Sequence, residues 1–520
     1  MVQAVASRVV PRARVSKAMA REAAEVAARR ADVAAHADAP ASVHFVPVDA
    51  ADDVTTANAF IRPMGNSRRV FLLDPYMKSA EELDGLAHRI KVLSHNEGIN
   101  SVLIATDDGD DVQGNCLPTY LQTHDEPNLN SLSVDLEPTP GHTWHVAGGY
   151  DPLAMAEETK DTAKLQQWME SISKLSAATK GLQYNTEKEL ASKIPIITMP
   201  HGAVTDGGYA LCMGSYVLAT PETCFQIANP SRGLSFDPVG FSYFLSRLGM
   251  DGKQRSMKFA RSCGMILALT GYEANCYDMV ETGLATHLVS GSQALPLLER
   301  RLAAIPPYSL QKLVEPPKQF YGQPPLPDAN AKMRNVSVAY AIENISQYAA
   351  DATNSVPLNY FGLRNDDPAL DTDHVPWESA FFNSDLVDYA HTFDTIFREK
   401  SLQAIIEKLK EVAAVESNDV QDQECSAVAK DLVDRMESQS PLALRVIFQL
   451  IQQGSSRQAT FDGCLKREQV AQVNMLQQDD FASWAKHCRK HGMDKASEFR
   501  GWKHENVAAV TADEVAAIIN

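Results

Sequence analysis

An α/β core followed by a helical C-terminal region is the fold class this sequence predicts, and three observations carry it. Apolar strand-like runs recur in the first 290 residues. Glycine-rich turns separate them from segments with helical spacing. The last 125 or so residues carry amphipathic helical patterns. In chain order, Ser79–Leu93 places apolar residues at helical intervals, and Ser101–Ala105 reads as a buried strand. The apolar run Pro195–Met199 ends at His201-Gly202, and a Gly207-Gly208 turn opens a segment expected to be helical over Tyr209–Tyr216. Val217–Ala219 reads as the next strand and leads to Phe225-Gln226-Ile227-Ala228-Asn229. Leu402, Ile405, Ile406 and Leu409, then Leu444, Ile447, Leu450 and Ile451, mark two amphipathic helices.

The composition bounds the function. The chain has 520 residues, which allows two to four domains, with 44% hydrophobic and 22% charged residues, both ordinary for a globular protein. Its 66 acids against 48 bases give a net charge of −18, which argues against a broad nucleic-acid-binding surface because phosphate contacts come from Lys and Arg. No apolar run approaches the ~18 residues of a membrane span. Eight cysteines are scattered singly, with no C-x-x-C pair and no zinc spacing, so reduced thiols and no metal site are expected. Residues 1–40 read as a mitochondrial targeting extension: Arg8, Arg12, Arg14, Lys17 and Arg21 lie in an acid-free Ala/Val/Ser background. Two segments interrupt the core. Residues 107–144 are polar and open on Asp107-Asp108-Gly109-Asp110-Asp111, which lacks the spacing of a calcium loop. Residues 305–395 carry Pro306-Pro307, Pro316-Pro317 and Pro324-Pro325 with the aromatic stretches 359–361 and 377–382, the composition of a docking element.

Several motifs together resemble a known family. They are His201-Gly202, Gly207-Gly208, Ala219-Thr220, Phe225, Gly233-Leu234, Asp237, Gly240, Tyr243-Phe244-Leu245, Arg247-Leu248, Ala268–Gly271 and Gly283–His287. On this pattern the chain resembles the crotonase superfamily, and within it the 3-hydroxyisobutyryl-CoA hydrolase branch. The likeness extends to Val70–Leu73 as a first strand, to His145–Gly149, and to Ser440–Leu444 and Gly454–Ser456, so it covers roughly residues 68–520. It implies a spiral of ββα turns in two nearly perpendicular sheets. The implied organisation is an extension over 1–40, a crotonase-like core over 41–300 with the insertion 107–144, a Pro/aromatic-rich insertion over 301–396, and the branch's helical region over 397–520.

The chemistry implied is thioester hydrolysis, in which two backbone N–H groups stabilise the oxyanion at the thioester carbonyl. By the resemblance these belong to Gly149 and Gly207, and glycine suits both because the backbone must approach closely. The branch also needs a carboxylate to activate water and an acid to assist the leaving thiolate. Asn229 stands at the catalytic Glu position and cannot accept a proton; Asp237 is the retained acid, with helix capping at Pro238 as its structural alternative. Ala210 stands where hydratases carry a Glu. Asp206 replaces a glycine beside the turn and would oppose an oxyanion unless it points away. Tyr150 follows Gly148-Gly149 with Asp151 one place late, the branch's Glu-Tyr-Arg becomes Arg467-Glu468-Gln469, and its basic loop is reduced to Asp494-Lys495. His201 is expected to be structural, Tyr243–Leu245 to be core, and Arg68-Arg69 either solvated or in contact with coenzyme A phosphates.

This erosion points to a mitochondrial protein that has lost efficient hydrolysis. The family also supplies subunits of the mitochondrial ribosome's small subunit. A large protein or ribonucleoprotein assembly reached through 107–144 and 305–395 is therefore the expected partner, in the mitochondrial matrix. No cofactor is expected, with a coenzyme A ester as the ligand to consider. A working thioester hydrolase of valine breakdown and a coenzyme A ester sensor are the alternatives.

Overall fold

The computed structural model of the chain describes residues 46–47, 59–72, 76–77, 79–96, 98–106, 145–147, 149–180, 194–200, 202–220, 223–248, 257–289, 294–307, 338, 341–342, 345–349, 384–417 and 419–520. The expected extension 1–40, the segment 107–144 and most of 305–395 lie outside them, as do Leu73, Gly148 and His201.

Strands alternate between one large sheet and two small ones as the chain advances. β1 (Val46–Pro47), β2 (Ala59–Met64) and β3 (Ser67–Leu72) form an antiparallel edge. From β3 onward the large sheet is parallel through β5 (Ser101–Thr106), β8 (Ile196–Met199), β10 (Tyr216–Ala219) and β12 (His287–Val289), and β13 (Ser346–Ala349) closes it antiparallel. Between these strands the chain visits the smaller sheets. β4 (Tyr76–Met77) pairs with β7 (Gly149–Tyr150), while β6 (His145–Ala147) and β11 (Cys224–Gln226) flank β9 (Ala203–Thr205), all parallel. Each turn thus sends one strand to the large sheet and one to a small sheet before a helix, which is the expected ββα spiral.

The uninterrupted apolar runs follow from burial on both faces. Successive strand side chains point to opposite sides. Val102, Ile104 and Ile196 enter the larger hydrophobic core, whereas Leu103, Ala105, Ile197 and Met199 enter a second cluster with Leu298 and Leu302.

The helices carry their own start signals. Ser79 caps the helix Ala80–Ser94 by accepting from the Glu82 N–H at 3.2 Å, and Leu83, Leu86 and Ile90 are its buried stripe. Ser401 caps Leu402–Ala413, which buries the four residues read from the sequence. Ser440, followed by Pro441 in the first turn, caps Pro441–Gly454. A long helix that the sequence reading missed, Thr162–Thr179, packs on Ala80–Ser94 and buries Leu165, Trp168, Met169 and Ile172. A helix over Asp385–Thr392 already lies ahead of the expected start at about 397. No helix among the described residues is long and apolar enough to cross a membrane.

One expected helix is not there. The segment after the Gly-Gly turn is a 3₁₀ helix, Asp206–Cys212, and Tyr216 already belongs to β10. Its last carbonyls are taken by neighbouring side chains instead of a further turn. The Thr198 hydroxyl donates to Leu211 O at 2.7 Å, and the Thr179 hydroxyl donates to Ala210 O.

Gly240 shows how tightly this region is built. Its φ of +88° lies in the left-handed region, and a Cβ there would sit 2.3 Å from Phe461 Cε2. Gly240→Ala is expected to destabilise the protein by about 2–4 kcal/mol, combining backbone strain and overpacking. Denaturant unfolding of the two proteins side by side measures it; equal midpoints would contradict this packing.

Candidate active site

The site forms where four distant segments meet: the end of β7, the turn after β9, the loop 228–242, and the helix Phe461–Leu476. β9 ends at Thr205, and Asp206 then adopts a positive φ of 43°, the sole such non-glycine residue among those described. Its carboxylate explains the conformation. Oδ1 accepts the N–H groups of Ala228 and Asn229 at 2.9 and 3.0 Å, and Oδ2 accepts Arg232 Nη1 at 3.1 Å. Asp206 therefore ties the turn to the 228–232 segment. Burial raises its pKa, opposed by Arg232 and by the two backbone donors.

Asn229 is buried, and its amide is committed on both sides. Nδ2 donates to Ser235 O at 2.9 Å, and Oδ1 accepts from Arg232 Nη1 at 3.4 Å. Ala210, at the hydratase position, is fully buried and offers no functional group.

Asp237 is 1% exposed and lies at the centre of the cluster. Its Oδ2 accepts the Gly207 N–H at 2.7 Å. Its Oδ1 accepts the Tyr150 hydroxyl at 3.0 Å and Gln472 Nε2 at 2.9 Å. It does not cap a helix: the next helical turn, Phe241–Phe244, starts after Gly240. Burial, followed by the charge of Asp206, pushes the Asp237 carboxyl up to about 7, while hydrogen bonds from Tyr150 and Gln472 pull it down. Burial likewise holds the Tyr150 hydroxyl well above its usual range.

Of the two glycines assigned by resemblance to the oxyanion position, Gly149 is in β7, in register with Tyr76, and the Gly207 N–H is directed at a carboxylate oxygen of Asp237. The resemblance implies that these two N–H groups share one substrate oxygen; for Gly207 the structure shows an internal acceptor instead.

Two residues with central positions were missed or misread. Gln472 was not singled out. Besides reaching Asp237, its Oε1 accepts the Ser235 N–H at 2.9 Å. Glu468, read as a remnant of a lost acid–base pair, is fully buried; it accepts the Gly240 N–H at 2.7 Å, the Ser242 N–H at 2.6 Å and the Ser242 hydroxyl at 2.5 Å. Burial pushes its carboxyl up to about 7. Glu468 and Gln472 are four residues apart on one helix and so share a face, which is the signal that could have found them.

The remaining expectations resolve as follows. Asp151 is exposed and caps the helix Pro152–Glu158 through the Leu153 N–H at 2.9 Å. Arg69 is buried and paired with Glu299, so it is not the solvated residue expected, whereas Arg68 is half-buried and donates to Gly65 O and Ser67 O. Phe244 and Leu245 are core, whereas Tyr243 is half-buried beneath the Arg247 guanidinium, 3.9 Å from its ring centre. Lys495 pairs with Glu498 at the surface. No disulfide joins the seven cysteines among the described residues.

This arrangement can be set beside known proteins. The enoyl-CoA hydratase/isomerase family model matches residues 149–356 and 366–519. A chicken protein named 3-hydroxyisobutyryl-CoA hydrolase, mitochondrial, is 34% identical over 124 residues, which is 24% of this chain and 29% of that protein. The Arabidopsis thaliana small ribosomal subunit protein mS47 is 27% identical over 263 residues, 50% of this chain and 45% of that one. The alignments thus span less than half of each of these two curated relatives. The crystal structure of a carnitinyl-CoA dehydratase from Mycobacterium thermoresistibile superposes with a TM-score of 0.56 over 89% of this chain and 97% of that one, at 14% identity, which establishes the crotonase fold. With the family model matched across more than half its length, the chain belongs to the enoyl-CoA hydratase/isomerase family.

Proposed function

We propose that this chain is a non-catalytic, hydrolase-like component of the mitochondrial ribosome's small subunit. The observation that carries the reading is Asn229. Where the hydrolase chemistry needs a carboxylate, the chain has an amide, buried and bonded to Ser235 O and Arg232. An amide cannot take a proton from water. The relatives named mS47, from Arabidopsis thaliana and Schizosaccharomyces pombe, support the assembly, and the relatives named as mitochondrial hydrolases support the compartment, taken here as the matrix. The Pro- and aromatic-rich segment 305–395 is the element proposed to dock, together with 107–144.

An active thioester hydrolase is the second reading, and Asp237 favours it, since a carboxyl near pH 7 suits acid–base work. That carboxylate already holds three donors, however, and would have to activate water and protonate the thiolate unaided.

Sedimentation tests the assembly. Tagged protein expressed from its own locus is expected to run with the small ribosomal subunit when mitochondrial lysate is separated on a sucrose gradient, and to leave that fraction when the ribosomal RNA is digested. A protein found only in light fractions, as a free small oligomer, would exclude the ribosomal role.

A further inference from the structure

The donors around Asp237 form a complete anion site, and its occupant is part of the chain. The Gly207 N–H, the Tyr150 hydroxyl and Gln472 Nε2 converge on one carboxylate at 2.7, 3.0 and 2.9 Å. They come from three segments, and both side-chain donors are buried. A donor that loses its partner in such an interior destabilises the fold, because its desolvation is no longer compensated. The fit is close: a Cβ placed on Gly207 would lie 3.0 Å from Asp237 Oδ2 and 3.4 Å from its Cγ. That spacing leaves no room between the Gly207 backbone and the Asp237 side chain for an atom of another molecule.

We propose that Gly207, Tyr150 and Gln472 constitute a carboxylate-binding site whose resident ligand is the Asp237 side chain, so that the folded chain is closed at this point to any external anionic oxygen. Gln472 is the positioning residue. It donates to Asp237 Oδ1 and to the Tyr150 oxygen, at 2.9 and 3.3 Å, while its Oε1 holds the Ser235 N–H two residues before Asp237. The other charged groups nearby have partners of their own: Asp206 accepts from Arg232 and from the Ala228 and Asn229 N–H groups, and Arg232 donates to Asp206 and to Asn229 Oδ1. The inference deepens the reading of this site as closed to thioester chemistry and does not depend on ribosome membership.

Removing the internal carboxylate should create a vacancy that a free carboxylate can fill. Asp237→Ala is expected to gain thermal stability when sodium formate or acetate is added, with a saturable Tm rise of about 2 °C or more over equimolar sodium chloride. The wild-type protein is expected to show no difference between these salts. A variant that responds to formate no more than wild type does, or equally to chloride, overturns the proposal. Should Asp237→Ala fail to fold, Asp237→Asn keeps the volume and removes the charge. In spectra of glycine-labelled protein the Gly207 amide proton is expected upfield of its wild-type position in Asp237→Asn, and an unmoved resonance also overturns the proposal. Neither readout involves activity or sedimentation, so each can fail while the ribosomal role stands, and the converse holds.

Discussion

Purified protein is expected to release coenzyme A from 3-hydroxyisobutyryl-CoA at a rate reduced by a factor of ~10²–10⁴ or more from that of an intact acid–base site, the usual contribution of one positioned proton-transfer group. Asn229→Glu alone is expected to leave the rate there. Two defects act in series. The amide of Asn229 provides no proton acceptor, and its substitution by Glu supplies one. The second defect survives that substitution, because the Gly207 N–H is still bonded to Asp237 Oδ2 at 2.7 Å. An oxyanion would have to displace a carboxylate that also holds Tyr150 and Gln472. Loss of one such donor costs about 3–4 kcal/mol in acyl-transfer sites. The assay follows thiolate release from the thioester by both proteins. Wild-type turnover within the ordinary enzymatic range of ~1–10³ per second would remove the non-catalytic reading, and a large gain in Asn229→Glu would show that the Gly207 donor is available after all.

The second large effect is on stability against pH. Asp237 and Glu468 are both buried, and both carboxyls are pushed up to about 7 from ordinary values of 3.8 and 4.5, with desolvation the largest cause in each. The folded chain therefore holds these protons more tightly than the unfolded chain does. Their contribution to stability is fully present below about pH 4 and is lost as pH rises through about 7. One pH unit of difference corresponds to about 1.4 kcal/mol, so together they contribute a slope of several kcal/mol between pH 5 and pH 8. Urea unfolding is expected to show lower stability at pH 8 than at pH 6. Asp237→Asn is expected to flatten the slope, since the amide does not titrate. A stability that climbs from pH 6 to pH 8 in the wild type, unchanged by Asp237→Asn, would show that these two acids are ionised at little cost in the fold.

Much of the architecture is legible one segment at a time. Ser79, Ser401 and Ser440 each precede an apolar stripe of helical period, and each caps a helix in the structure. The apolar runs at 101–105 and 195–199 are strands buried on both faces. These features are local, because caps and periodicity are set by residues within a few positions of one another. The segment after the Gly207-Gly208 turn was misjudged for the complementary reason: Thr179 and Thr198, from a helix and a strand earlier in the chain, take the carbonyls that a longer helix would have used.

What Asp237 does was decided only by the tertiary structure. Its partners Gly207, Tyr150 and Gln472 are 30, 87 and 235 residues away along the chain. Glu468 reaches Gly240 across 228 residues. The sequence by itself determined that an amide, Asn229, stands where the resemblance implies a catalytic Glu, and that an acid, Asp237, follows eight residues later. Whether that acid faces a substrate or fills the site itself depends on how the helix Phe461–Leu476 packs on the 228–242 loop. The physical reason is that a buried carboxylate turns to whichever donors the packed interior brings within hydrogen-bonding distance, and chain spacing does not reveal which these are.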